Sequence, residues 1–165
     1  PPSEEDRADA GAAKAVAADK LVVVTGSNSG TGKEAARALA AAGASVIMAV
    51  RTVEKGEAAR ADILKTAPNA DIEVRRVDLA NLNSIKEFAE QLIKEGRPLD
   101  LLLNNAGVMM LPERHETIDG FETQFGTNFL GHFALTLRLL PLLLQARAPR
   151  VVTMSSGNQA PLDFD

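Results

Sequence analysis

Residues Leu21 to Arg37, LVVVTGSNSGTGKEAAR, leave this chain few architectures to choose from. Four apolar residues, three of them β-branched, read as a strand buried on both faces, as in the interior of a parallel sheet. A turn of Gly and Ser follows at once, and Lys33-Glu34-Ala35-Ala36-Arg37 opens a helix. Glycine lets a backbone turn tightly and come close to a ligand, and the N–H groups at a helix start favour an anion. The turn made by Gly26, Ser27, Asn28, Ser29, Gly30, Thr31 and Gly32 is therefore expected to hold phosphate. An ordinary strand–helix connection would explain a lone glycine cluster as well; the complete run of strand, turn and helix favours a nucleotide. A P-loop is excluded, because Ser27 stands where its first Gly belongs and Glu34 where its hydroxyl belongs. The spacing G-x-G-x-x-G also fails, since three residues separate Gly26 from Gly30.

Strand and helix continue to alternate down the chain. A helix over about 32–42 turns Ala35, Ala36, Leu39 and Ala40 inward, and Gly43 can end it. Ala44 to Val50 is a second buried strand, and Thr52 is placed to cap a helix reaching Thr66, with a turn at Pro68-Asn69. Asp71 to Val77 alternates, as a strand near a sheet edge does. Ile85, Phe88, Ala89, Leu92 and Ile93 then form a helical apolar stripe, stopped by Gly96 and Pro98. Leu99 to Asn104 is a fourth strand, about 119–146 a long apolar helix kinked at Pro141, and Arg150 to Met154 a fifth strand. This rhythm predicts a parallel, doubly wound sheet.

A length of 165 residues suits one domain with a sizeable core, and no second domain is visible. The net charge of −4 argues against a general nucleic-acid binder. The absence of Cys excludes disulfides, thiolate metal sites and a catalytic thiol. His132, on the apolar helix, reads as a packed or interface residue, His115 as a loop residue, and no metal site is expected. There is no apolar run long enough to span a bilayer and no secretory signal, so a cytoplasmic location is the default expectation. Pro1 to Lys20, rich in Ala, Glu and Asp, is read as a mobile leader or a short exposed helix, without assigned function.

Ligands of a doubly wound sheet bind beyond the carboxyl ends of its strands. The second strand ends in Val50-Arg51, a cation where an NAD site usually carries an acid for the ribose 2′-hydroxyl; a 2′-phosphate suits it better. A solvated loop arginine is the alternative. The third strand ends in Asp78-Leu79 and the fourth in Asn104-Asn105-Ala106-Gly107.

Thr25 followed by the glycine spacing gives TGxxxGxG; with it stand NNAG at 104–107, FGTNFLGHF at 125–133 and VVTMSS at 151–156. On these motifs the chain from about Leu21 to Asp165 resembles the short-chain dehydrogenase/reductase family, in its retinol dehydrogenase-like and WW-domain oxidoreductase-like branch. Thr31 replaces the Ile usual in the pattern. The resemblance implies a Rossmann-type sandwich of sheet order 3-2-1-4-5, incomplete at its C-terminal end, over residues 21–165. It implies an oxidoreductase moving hydride between nicotinamide and a small carbonyl or alcohol, lipophilic by analogy. Val50 occupies the position of the acid in NAD-preferring members, so NADP(H) is the expected cofactor. Cofactor contacts are implied for the glycine turn, Arg51, Asp78 near the adenine, Leu79, Asn105, Ala106 and Gly107. Asn128 matches the asparagine that orders water for a proton relay, and Ser156 the serine that hydrogen-bonds the substrate carbonyl. The family's Tyr-x-x-x-Lys is missing, and the sequence has no Tyr at all. The chain is therefore expected to be the N-terminal part of a reductase, a fragment or a truncated product, whose open edge strand promotes self-association. A non-catalytic NADP(H)-binding protein is the rival expectation.

Overall fold

The computed structural model describes residues 17–156. Five strands, β1 (Leu21–Thr25), β2 (Ser45–Val50), β3 (Ile72–Arg76), β4 (Leu101–Asn104) and β5 (Arg150–Thr153), form one sheet of order β3-β2-β1-β4-β5. Every pairing is parallel, with Val23 opposite Ile47 on one side and Leu102 on the other. Parallel neighbours need crossovers, and four helices supply them: α1 (Gly30–Ala41), α2 (Val53–Thr66), α3 (Leu82–Glu95) and α4 (His132–Leu143).

Successive residues of β1 point to opposite faces, so the strand feeds two apolar layers. Val22 and Val24 pack with Met48, Ala36 and Ala40 of α1, and Ala59 and Ile63 of α2. Leu21 and Val23 pack with Ile85, Phe88 and Leu92 of α3 and Leu135, Leu139 and Leu142 of α4. Burial on both faces is why these strands are continuous Val, Ile and Leu rather than alternating. The small residues Ala36 and Ala40 let α1 lie close to the sheet, with Ala35 and Leu39 half-buried at its margins. Asp100 anchors the start of β1: its carboxylate accepts from the Leu21 N–H at 3.0 Å and pairs with Lys20 at 2.9 Å.

β3 is an edge strand whose half-buried residue Arg75 bridges Glu73 and Glu95 of α3, and these carboxylates raise its pKa. β5 is the opposite edge, with every residue exposed; the expectation of self-association rests on this open edge. The first sixteen residues of the expected leader and residues 157–165 lie outside the described residues.

Several local expectations need correction. Ile93 is 40% exposed, because eight residues of helix carry it about 80° round from Ile85, off the core stripe. Thr52 holds the N-cap position of α2, yet its side chain makes no capping bond. Asn81 does cap α3, accepting from the N–H groups of Asn83 and Ser84. The long helix does not start near 119. Thr117 and Phe121 close a turn (2.7 Å), and the Asp119 carboxylate turns away to accept the Leu82 N–H. The break in regular geometry falls at Phe125–Gly131, a π-helical stretch leading into α4, while Pro141 sits in the last turn of that helix.

Candidate active site

The carboxyl ends of β1, β2, β3 and β4 and the amino end of α1 surround a cleft of about 430 Å³. It is a pocket of the size small ligands fill. Its walls include Gly26, Asn28, Ser29, Thr31 and Gly32 from the turn, Arg51 after β2, Asp78 and Leu79 after β3, and Asn105, Ala106 and Gly107 after β4.

The glycine turn and the loop after β4 pack backbone to backbone. A Cβ on Gly26, whose φ is +64°, would stand 2.8 Å from the Ala106 Cα. A Cβ on Gly32 would strike the Asn105 amide nitrogen and approach the Gly26 carbonyl oxygen to 2.6 Å. Only glycine allows this approach, and it leaves the start of α1 open to the cleft. Ser29 occupies the N-cap position without a side-chain capping bond, and the first turn of α1 carries no acid. Its leading N–H groups and the positive end of the helix dipole are therefore available to an anion. The residues fit a dinucleotide: a close backbone cradle with uncapped donors for phosphate, and the Arg51 cation at the next strand end.

Thr25 ties this cradle to the loop after β4. Its buried Oγ1 accepts the N–H of Asn105 at 2.9 Å and of Ala106 at 3.0 Å, while the Asn105 side chain donates back to the Thr25 carbonyl. Asn104, also buried, donates to the Thr136 hydroxyl of α4 at 3.0 Å. Asp78 closes its own turn, accepting the Ala80 N–H at 3.0 Å. It thus serves a local structural part as well as lining the cleft.

Asn128 lies in the π-helical stretch, a geometry common at functional sites. Its amide grips one peptide of the loop: Nδ2 donates to the Val108 carbonyl at 2.7 Å and Oδ1 accepts the Val108 N–H at 2.8 Å. One further donated and one further accepted bond remain within its capacity. Ser156 lies exposed just past β5. Ser27, Gly30, Asn128 and Ser156 are not among the cleft-lining residues. Ser27 is fully buried, and its hydroxyl donates to the Val24 carbonyl at 3.0 Å, so that side chain serves the turn. Ala49, Val77, Val108, Thr127 and Met154 line the cleft although sequence reasoning passed over them. Ala49 and Val77 sit at or beside strand ends, and that position was the signal available.

His132 is buried and packed, as expected: Nε2 lies 2.8 Å from Thr25 Oγ1 and Nδ1 2.9 Å from the Asn128 carbonyl oxygen. Burial lowers its pKa. Among the described residues there is no cluster of His, Asp and Glu able to hold a metal, and no helix long and apolar enough to cross a membrane.

Comparison with known proteins agrees with this arrangement. The short chain dehydrogenase family model matches residues 20–161. Mouse retinol dehydrogenase 12 is 50% identical over 137 residues, covering 83% of this chain and 43% of that protein. Human retinol dehydrogenase 13 is 46% identical over 154 residues, covering 92% and 46%. The chain thus spans less than half the length of these curated relatives. A metagenomic short-chain oxidoreductase solved in complex with NADP superposes with a TM-score of 0.74 at 28% identity, over 88% of this chain and 66% of that one. That family model spans most of the sequence, including the glycine turn and the 104–107 loop, and the chain belongs to the short-chain dehydrogenase family.

Proposed function

We propose that this chain is the NADP(H)-binding portion of an oxidoreductase acting on a carbonyl or alcohol substrate, with Asn128 and Ser156 serving the reacting oxygen. The observation that carries the cofactor choice is Arg51, which lines the same cleft as the amino end of α1 at the carboxyl end of β2. A nicotinamide cofactor supplies hydride to, or takes it from, the substrate carbon. The chain's own contribution is placement. The leading N–H groups of α1 and the turn bind phosphate, Arg51 answers a 2′-phosphate, and the loop over 105–108 walls the cleft. Ser156 donates a hydrogen bond to the substrate oxygen, and Asn128 holds Val108 while ordering water with its remaining capacity. The NADP in the metagenomic oxidoreductase supports the same cofactor, and the names of the retinol dehydrogenase relatives support a lipophilic alcohol or carbonyl.

Arg51→Ala tests the cofactor choice. A hydrogen bond to a charged group is worth about 1.5–3 kcal/mol, which is about ten- to a hundredfold in affinity. Calorimetric titration should show NADPH weakened by that factor and NADH nearly unchanged. Equal losses for the two cofactors would remove Arg51 from the site.

A further inference from the structure

We propose that His132 is a positioning residue that fixes the cleft wall over 105–108 from both ends, acting as a neutral ring with its proton on Nδ1. The directions of the hydrogen bonds lead there. A peptide carbonyl only accepts, so the 2.9 Å contact with the Asn128 oxygen places the proton on Nδ1. A neutral ring then offers a bare lone pair on Nε2, 2.8 Å from Thr25 Oγ1. That hydroxyl already accepts from the N–H groups of Asn105 and Ala106, which occupies both its lone pairs. Its one proton has two acceptors to choose between, Nε2 at 2.8 Å and the Leu103 carbonyl at 3.4 Å, and the histidine is much the better.

One directed chain results. The Asn105 and Ala106 amides donate to Thr25, Thr25 donates to His132, and His132 donates to the backbone of Asn128. The side chain of Asn128 in turn grips the peptide of Val108. Thr25 holds the start of the loop, Asn128 its end, and His132 joins the two clamps. All four loop residues, Asn105 to Val108, line the cleft. A histidine that merely filled space would need neither bond. Burial of the ring, only 5% exposed, favours the neutral form that this chain requires.

Three variants separate the two bonds by reach. His132→Asn places an amide nitrogen near the Nδ1 position and keeps the bond to Asn128. His132→Gln places an amide oxygen near Nε2 and keeps the acceptor for Thr25. His132→Phe keeps the ring volume and neither bond. In wild-type protein the ring ¹⁵N spectrum at neutral pH should show Nδ1 protonated and Nε2 bare. Amide exchange at Asn105, Ala106 and Val108 should quicken by about fivefold or more in the Phe variant, the loss of one net hydrogen bond, relative to the amides of β1 and β2. Gln should restore protection at Asn105 and Ala106, and Asn should restore it at Val108. An Nε2-protonated ring would overturn the proposal, and so would exchange that quickens uniformly across the sheet or not at all. If the Phe variant does not fold, the wild-type tautomer and the Gln and Asn pair still decide. The consequence for cofactor rests on the NADP(H) reading above: NADPH should bind more weakly to the Phe variant and recover with Gln. Wild-type protein that fails to bind NADPH would sink that reading, while tautomer and exchange would still judge His132.

Discussion

Gly32→Ala should weaken NADPH binding by about 10²–10⁴-fold. The added Cβ meets the Asn105 amide on one side and the Gly26 carbonyl on the other, and a backbone carbonyl cannot rotate away as a side chain can. The start of α1 must therefore move off the loop after β4. Two charge-assisted N–H bonds to phosphate, about 1.5–3 kcal/mol each, are lost with it, which converts to that range in affinity. Overpacking adds a cost of about 1–3 kcal/mol to the fold itself, so thermal unfolding is measured alongside. Gly30→Ala is the control. Its φ of +54° makes a side chain cost roughly 1–2 kcal/mol of backbone strain, but nothing lies within 4 Å of the new Cβ. That variant should lose stability, and its NADPH affinity should fall less than that of Gly32→Ala. A Gly32→Ala protein that binds NADPH like wild type would show that the cradle is not where phosphate sits.

The second large effect is a separation of binding from turnover. Residues 1–165 should bind NADPH yet reduce carbonyls about 10²–10⁴-fold more slowly than a longer chain carrying Tyr-x-x-x-Lys, the factor a positioned acid contributes. Hydride delivery leaves an alkoxide-like oxygen that must take a proton. The sequence offers neither a phenol nor a thiol, having no Tyr and no Cys. The Ser156 hydroxyl can hydrogen-bond that oxygen but is a weak acid at neutral pH, and the Asn128 amide N–H is too weak an acid to transfer its proton. NADPH consumption followed by absorbance measures the difference. In the longer chain Ser156→Ala should lower kcat and leave NADPH affinity intact. Rapid reduction by residues 1–165 alone, with contaminating enzymes excluded, would contradict this division.

How much of this was legible in the sequence depended on how local the physics was. The first strand, glycine turn and helix could be read directly, because β-branched residues, glycines and a helix opening each report their own backbone. Strand order followed from the resemblance together with right-handed crossovers, and the structure has it. What escaped was set by tertiary partners. The stripe of α3 predicts Ile93 inside, but where the stripe ends depends on the width of its neighbour. The long helix reads as starting near Asp119, whose carboxylate instead accepts the Leu82 N–H. The π-helical stretch has no periodic signature, yet it holds Asn128 where the side chain can grip Val108. Ser27 reads as part of the phosphate turn, but nothing local shows that its side chain bonds back to Val24. His132 was legible as a packed residue, but the bonds that give it direction run to Thr25, 107 positions away, and no local pattern carries that.

The most direct test of the account is a side-by-side calorimetric titration of residues 1–165 with NADPH and NADH at one ionic strength. If the cleft beside α1 and Arg51 is an NADP(H) site, NADPH binds one to one and at least about tenfold more tightly than NADH, the lower bound for one charge-assisted contact. Equal affinities, a preference for NADH, or no binding of NADPH by the folded protein would contradict it.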